Sequence, residues 1–335
     1  MLVFATESSC DETAVCLMKS DGSILSHKIA TQEIHSKYGG VVPELASRSH
    51  LENIQHLYRD CIKEAKITIE EVDVFCSTVG PGLVGSLLIG STFTKSLAIG
   101  CKKPFVPINH LEGHILSPTI NNNYNFPFLC ILLTGGHTQI YLVKSFGKYE
   151  LLGETLDDAL GEAFDKIAQL LNLSYPGGPE IELKAKKGNI NSINLPYPLK
   201  NEKNLNFSFS GIKTAVNLFV KKNKLNPKLI CNISASFQNR VSQIIIDKIS
   251  LCLKELEKKE ININNLAIVG GVAINKYIGL RIKEYCDLKN INIMMPPRDM
   301  FADNAAMIAW ACVKRYNRKL SNINFKVDPR LTINL

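Results

Sequence analysis

Apolar positions along this chain follow two spacings that alternate in a regular order. Residues 2–6 (Leu-Val-Phe-Ala-Thr) and 13–18 (Thr-Ala-Val-Cys-Leu-Met) are short apolar runs around a polar tip, Glu7-Ser8-Ser9-Cys10-Asp11-Glu12. They predict two strands of a hairpin, with a third strand at 24–31. From 43 to 65 the period changes. Leu51, Ile54, Leu57, Tyr58, Cys61 and Ile62 recur at i, i+3 and i+4, which predicts a helix. A strand at 72–79, a helix at 83–99 and a strand at 105–108 follow. The second half repeats the order: strands at 128–133, 140–143 and 149–152, helices at about 159–171 and 178–187, and a long helix over roughly 227–257. A strand at 266–269, a helix at 275–285, a strand at 291–295 and a helix at 302–318 close the pattern. Pro196-Tyr197-Pro198 and the polar run 200–205 read as a loop.

An order of antiparallel strands followed by alternating helices and strands, met twice, predicts a duplicated α/β protein with two domains facing a central cleft. The expected division is 1–108 with about 305–335 in one domain and 109–304 in the other. The closing helix is expected to pack back on the first. Each half opens on a hairpin with a polar tip. In the second, Thr134-Gly135-Gly136-His137-Thr138-Gln139 lies between the runs 128–133 and 140–143. Glycines there let backbone N–H groups approach a ligand, and the flanking hydroxyls suit phosphate oxygens. A plain hairpin turn is the alternative.

Composition narrows the class. The chain has 335 residues, 45% of them apolar and 21% charged, as in an ordinary globular protein. Ten scattered cysteines form no Cys-x-x-Cys pair, which excludes a zinc ribbon or thioredoxin motif. Most lie in apolar runs as small hydrophobes, so free thiols in a reducing cytoplasm are expected. The longest apolar stretch, 83–100, contains Lys95 and many small polar residues, which argues against a membrane span. The formal charge is +8, with basic clusters at Lys184-Ala185-Lys186-Lys187, Lys221-Lys222-Asn223-Lys224 and Lys258-Lys259. Solvated faces and an AT-rich genome account for such clusters, and a polyanion such as RNA is compatible with them.

His110-Leu111-Glu112-Gly113-His114 follows a strand and starts a helix. Positions 110 and 114 fall about 40° apart on one face, which suits two imidazoles on one transition metal. A histidine pair with capping or core roles is the alternative. Asp303 is the candidate third ligand, and it could equally cap the helix that follows. A zincin needs His-Glu-x-x-His. Here Glu112 lies about 200° round the helix from His110, away from any metal on the histidine face. Leu266 to Asn275 reads as strand, Gly270-Gly271 turn and helix, with Asn275 a ligand contact or a cap. Tyr175-Pro176-Gly177-Gly178-Pro179 is another glycine loop. Asp165 and Glu182 flank it, either for a ribose diol or for surface ion pairs.

Taken in order, these motifs resemble the TsaD family of tRNA threonylcarbamoyltransferases. The resemblance runs through Glu7 to Thr13, the stretch Tyr38-Gly39-Gly40-Val41-Val42-Pro43-Glu44-Leu45-Ala46-Ser47-Arg48, Gly80-Pro81-Gly82-Leu83, the two-histidine motif, and Thr134 to Gln139. It continues through Phe207-Ser208-Phe209-Ser210-Gly211-Ile212-Lys213-Thr214, Gly270-Gly271 and Asp303-Asn304. Ser8 replaces the usual Thr, and Ile274 stands where a small residue is common. The resemblance implies an actin-like (ASKHA) fold. It implies transfer of threonylcarbamoyl from threonylcarbamoyl-AMP to N6 of adenosine 37, in tRNAs that read codons beginning with A. It implies one divalent metal ion, Fe2+ or else Zn2+, on His110, His114 and Asp303. Leu132, Leu133, Thr134, Gly135, Gly136, Asp165, Gly178, Glu182 and Asn275 match substrate-contacting positions. No side chain stands out as general base, and Asp11 and Glu12 are the candidates. A TsaB-like paralogue as heterodimer partner and a TsaE-like ATPase are further implications. The Val-Val-Pro-Glu-Leu-Ala-Ser-Arg stretch is similar to the bacterial and mitochondrial branch, and a bacterial cytoplasm is expected. A small-molecule kinase would share the fold without needing the His-His-Asp set, and a non-catalytic scaffold would lack that set.

Overall fold

The computed structural model describes residues 1–120, 122–316 and 320–333. In chain order the main elements begin with β1 (Leu2–Glu7), β2 (Glu12–Lys19), β3 (Ile24–Thr31), α1 (Pro43–Ala65), β4 (Val74–Gly80), α2 (Val84–Gly100), β5 (Phe105–Asn109) and α3 (His110–Leu116). They continue with β6 (Phe128–Leu133), β7 (Thr138–Ser145), β8 (Lys148–Glu154), α4 (Leu160–Leu170), α5 (Gly177–Ala185), α6 (Ser210–Lys222) and α7 (Pro227–Lys258). The last are β9 (Asn265–Val269), α8 (Lys276–Leu288), β10 (Asn292–Met294) and α9 (Ala305–Arg315).

Two five-stranded sheets have the same strand order, β3-β2-β1-β4-β5 and, read from the other edge, β8-β7-β6-β9-β10. In each, a three-stranded antiparallel meander joins two parallel strands, so the duplication predicted from periodicity is present. The chain forms two compact units, Met1–Asn122 with Pro296–Leu335, and Asn123–Met295. Residues 109–122 and 296–304, grouped with the second half in the sequence reading, lie in the first unit.

In the first unit β4 is buried along its whole length, as expected of a strand covered on both faces. α2 approaches β1 closely through small residues. A Cβ at Gly90 would lie 2.2 Å from Ser8 Oγ, and Thr6 and Thr94 hydroxyls meet at 2.6 Å. α9 packs on β1 and β2, the return of the closing helix to the first half. It is shorter than predicted, and positions 317 and 318 of the predicted helix lie outside the described residues. In the second unit α6 has no counterpart among the predicted elements. Asp157 shapes its start, accepting from the N–H groups of Phe209 (2.8 Å) and Ser210 (3.2 Å) and from the hydroxyls of Ser208 (2.5 Å) and Ser210 (2.7 Å).

Candidate functional site

The histidine pair is built by a strand-to-helix junction. Asn109 ends β5 and caps α3, its Oδ1 accepting from Leu111 N (2.9 Å) and Glu112 N (3.4 Å). His110 is thus the first helical residue and His114 lies one turn on. All seven residues of α3 are buried. Gly113 lets α3 seat on α9: a Cβ there would come within 2.8 Å of Ile308 Cδ1. That seating brings the segment before α9, with Asp303, against the histidines. Nε2 of His110 lies 3.5 Å and Nε2 of His114 3.0 Å from Asp303 Oδ1. One ligand atom from each of the three residues lies within 4.8 Å of the others. The rings stand edge to face at 4.8 Å. Asn304, not Asp303, caps α9 through Met307 N at 2.8 Å, which removes the capping alternative for Asp303.

Glu7, at the end of β1, holds the far side of His110. Its Oε2 lies 3.1 Å from His110 Nδ1, with Ser9 Oγ at 3.2 Å. Thr78 Oγ1 donates to the same carboxylate oxygen, and Ser9 N donates to Oε1 at 2.5 Å. A carboxylate on Nδ1 holds a proton on that nitrogen and leaves Nε2, on the Asp303 side, as the atom that could bind a metal once it gives up its own proton. Burial would lower the His110 pKa. Asp303 and Glu7 outweigh it and raise the value to about 9. The pull is mutual: burial raises the Glu7 carboxyl, but His110 takes it below its usual range. His114 is fully buried, and its Nδ1 has no hydrogen-bond partner among the described residues. Two imidazoles and a carboxylate on one point suit a divalent metal ion, and the second-sphere carboxylate on His110 is the usual companion of such a ligand. The residues present therefore fit a metal.

Asp11 lies just before β2 and Glu12 begins it, in the same unit. Burial, then the Asp303 and Asp11 carboxylates, push Glu12 up to about 10. Glu112 is fully buried and pairs with Arg315 of α9 at 2.8 Å, which ties it to α9.

The predicted ligand loops all lie in the second unit. Leu132 and Leu133 are fully buried side chains of β6, so only their main chain could reach a ligand. Thr134 closes the turn, its Oγ1 accepting from His137 N at 2.9 Å. Cβ atoms at Gly135, Gly136, Gly178 and Gly271 would meet open space. Gly270 is different. It has φ +94°, and a Cβ would lie 2.4 Å from Leu133 O, so two strand ends meet there without room for a side chain. Asp165 Oδ1 accepts from Gly177 N at 2.7 Å, at the start of α5. Glu182 Oε1 accepts from Lys276 N at 3.2 Å. Asn275 caps α8 through Ile278 N (3.0 Å) and donates to Gln238 Oε1 (2.8 Å). Its capping reading is thus realised. Gln238, a buried amide of α7, carries no motif that would have marked it, and neither did Glu7 as a partner of His110.

The fold and site define an actin-like, duplicated α/β protein with a His-His-Asp set that fits a metal ion. Solved structures agree on the fold. HypF from T. kodakarensis superposes with TM-score 0.62 at 14% identity, over 92% of this chain and 47% of that one, so the chain spans about half of HypF. Component A of Acidaminococcus fermentans (R)-2-hydroxyglutaryl-CoA dehydratase superposes with TM-score 0.53 at 12% identity, over 94% and 98%. The family is fixed by sequence. The TsaD model, described as tRNA N6-adenosine threonylcarbamoyltransferase, matches residues 23–310. A Wolbachia pipientis wMel protein of the same description is 42% identical over 98% of this chain and 97% of its own length. One from Rickettsia rickettsii (strain Sheila Smith) is 42% identical over 99% and 98%. The chain belongs to the TsaD family and is an enzyme of the transferase class. Among the described residues no helix is long and apolar enough to cross a membrane.

Proposed function

We propose that the chain transfers the threonylcarbamoyl group of threonylcarbamoyl-AMP to N6 of adenosine 37, in tRNAs that read codons beginning with A. The observation that carries this reading is the convergence of His110, His114 and Asp303 in a chain whose relatives are named for that transfer. In the reaction the N6 amine attacks the carbamoyl carbon, the bond from that carbon to the phosphate oxygen breaks, AMP leaves, and N6 gives up a proton. Asp11 and Glu12 are our candidates to take that proton; Glu12, held protonated by burial and by the Asp303 and Asp11 carboxylates, has first to release its own. The open glycines at 135, 136, 178 and 271 would admit the adenylate to main-chain N–H groups, with the main chain of Leu132 to Thr134 beside them. Asp165, Glu182 and Asn275 would flank it, their present hydrogen bonds holding the loops in register.

His110, His114 and Asp303 would hold one divalent ion, with Glu7 fixing the first imidazole. Iron is our assignment on the family resemblance, with zinc the alternative, and two histidines with one carboxylate suit either ion. Such an ion, when bound, supplies Lewis acidity toward carbamoyl or phosphate oxygens. A hydrolytic zincin is disfavoured, since Glu112 is committed to Arg315. We place the enzyme in the cytoplasm, working with a TsaB-like partner and a TsaE-like ATPase. The test incubates the chain with those partners, labelled threonylcarbamoyl-AMP and an unmodified tRNA carrying A37. Label on that adenosine is expected; glycoprotein cleavage that needs His110, with no label on tRNA, overturns the reading.

A further inference from the structure

The charge of this chain is concentrated in one place. The first unit has 17 basic and 16 acidic residues, the second 22 and 15. Within the second, residues 183–246 hold eleven basic residues against one acidic residue, Glu202. Seven of the eleven gather around the start of α7. Lys184, Lys186 and Lys187 end α5. Lys221, Lys222 and Lys224 end α6 and lead into α7, and Lys228 lies in its first turn. The end of α5 lies against that start: a Cβ at Gly188 would come within 2.0 Å of Cys231 O, and Asn189 N donates to Asn232 Oδ1 at 2.9 Å. Six of the seven lysines are exposed and Lys184 is half-buried. Among the described residues the lysines in ion pairs are Lys28, Lys144, Lys166 and Lys213, none of them in this group.

Helix stability accounts for part of the group. Lys184, Lys221 and Lys222 occupy last turns, where the helix dipole favours cations. It does not account for Lys228, which sits in the first turn of a 32-residue helix with no acidic residue in that turn. There the dipole repels a cation. Glu180 and Glu182 stand four residues before Lys184 and Lys186, but Lys187, Lys221, Lys222, Lys224 and Lys228 have no acid within four residues in sequence, and such a group suits a partner that brings its own regularly spaced negative charges.

We propose that this lysine corner docks the phosphate backbone of the tRNA substrate. The inference rests on the transferase reading above. Placement supports it: Gly178 and Lys186 stand at opposite ends of α5, about 12 Å apart along the axis at 1.5 Å per residue. A backbone held by the lysines therefore passes close to the proposed adenylate loop. An anionic membrane is the competing polyanion. Leu183, Ile190 and Leu218 are exposed beside the lysines in sequence. A membrane-surface element, however, carries its basic and apolar stripes along one helix, whereas these lysines sit at the ends of three.

The test compares the wild-type chain, with its partners, to Lys186→Glu/Lys187→Glu/Lys222→Glu/Lys224→Glu and to the matching four-glutamine variant. tRNA affinity is measured from 50 to 200 mM salt, alongside threonylcarbamoyl-AMP binding and thermal melting. Both variants are expected to melt as wild type and bind the adenylate unchanged. Their log K against log salt slope should be shallower by about 3, at roughly 0.7–0.9 per phosphate contact. KM for tRNA should rise at least tenfold with kcat held. A wild type that binds tRNA and variants that match it in slope and KM overturn this surface and leave the transferase reading standing. A wild-type complex that binds no tRNA at any salt overturns that reading and this inference with it. Lysine-dependent binding to phosphatidylserine vesicles, with tRNA affinity unchanged, assigns the corner to a membrane and overturns the proposal.

Discussion

The two sheets share one topology and do opposite things with the tip of the first hairpin. Between β1 and β2 the chain spends side chains: Glu7, Ser8 and Ser9 are buried, and Glu7 and Ser9 both reach His110. Between β6 and β7 it spends backbone: Gly135 and Gly136 face open space, held by the Thr134–His137 turn. The junction after the fifth strand also differs. β5 runs straight into α3 and delivers two histidines, whereas β10 leads to the segment that carries Asp303 back to the first unit. One scaffold thus yields a charged, desolvated site in one unit and an open, glycine-lined one in the other. Buried charges are costly to leave unmatched, so the first site should be sensitive to any change of partner. The second should tolerate substitution for folding while losing ligand binding.

The largest effect is expected at the first site. His110→Ala should lower metal affinity by more than ~100-fold, since loss of a second-sphere group alone costs about 10- to 100-fold. Metal analysis of chelator-free protein checks this. Stoichiometric metal in a folded His110→Ala protein would break the contrast, because the site would not depend on its buried imidazole. Removing His110 also strands Glu7, so the companion His110→Gln variant guards against simple unfolding.

Glu7→Gln is milder. The amide keeps volume and can still hydrogen-bond Nδ1, but it no longer supplies a negative charge to the imidazole. A metal affinity loss of about 10- to 100-fold is expected, with the apo protein near its wild-type melting temperature. An unchanged metal dissociation constant would reduce Glu7 to a core residue.

The alternating 2.0 and 3.6 periods made the duplication readable, because strands and amphipathic helices bury one face or both. The histidine pair was readable for the same reason, since both side chains lie on one helix. Glu7 was not. It meets His110 across 103 positions through β4, which pairs in parallel with both β1 and β5, and no local spacing records that. Asp303 was legible as an acid before a helix, but only the adjacent Asn304 settles which residue caps it. α6 escaped for a different cause. Its start is set by Asp157, some fifty residues away, and not by a cap of its own. Asn275 showed the limit from the other side: the cap is local and legible, and its buried partner Gln238 is not.

The second site is sharpened by two glycines of opposite setting. Gly135→Val projects into open space and should leave the melting temperature nearly unchanged, while adenylate affinity falls at least about tenfold as the side chain takes the ligand's place. Gly161 lies under the same turn. A Cβ there would come within 2.7 Å of Gly135 Cα and 2.9 Å of Thr134 O. Gly161→Val should therefore destabilise the unit by roughly 1–3 kcal/mol through overpacking. Calorimetry and adenylate titration separate the two. If Gly135→Val lost stability and kept the ligand, the hairpin would be structural and the contrast would fail.

The smallest effect concerns the acidic clamp that starts α6. Burial raises the Asp157 carboxyl, but bonds from Ser208, Phe209 and Ser210 outweigh it and leave the value below the ordinary carboxylate range. Asp158 is held low in the same direction, burial being outweighed by Lys166 and Lys213. A folded pKa below the unfolded one means that stabilisation is fully present above about pH 4, the ordinary aspartate value. It is lost as pH falls through the depressed folded values. Because Asp157 is exposed, solvent screens the gain. The expected readout is therefore local. Amide exchange at Phe209 and Ser210, corrected for intrinsic rates, should rise a few-fold below about pH 4 in the wild type. In Asp157→Asn it should be raised already at pH 7 and change little on acidification. Exchange at those two amides that ignored both pH and the substitution would show that α6 starts without its clamp, and would leave this part of the second unit as independent of carboxylate charge as its glycine loops are.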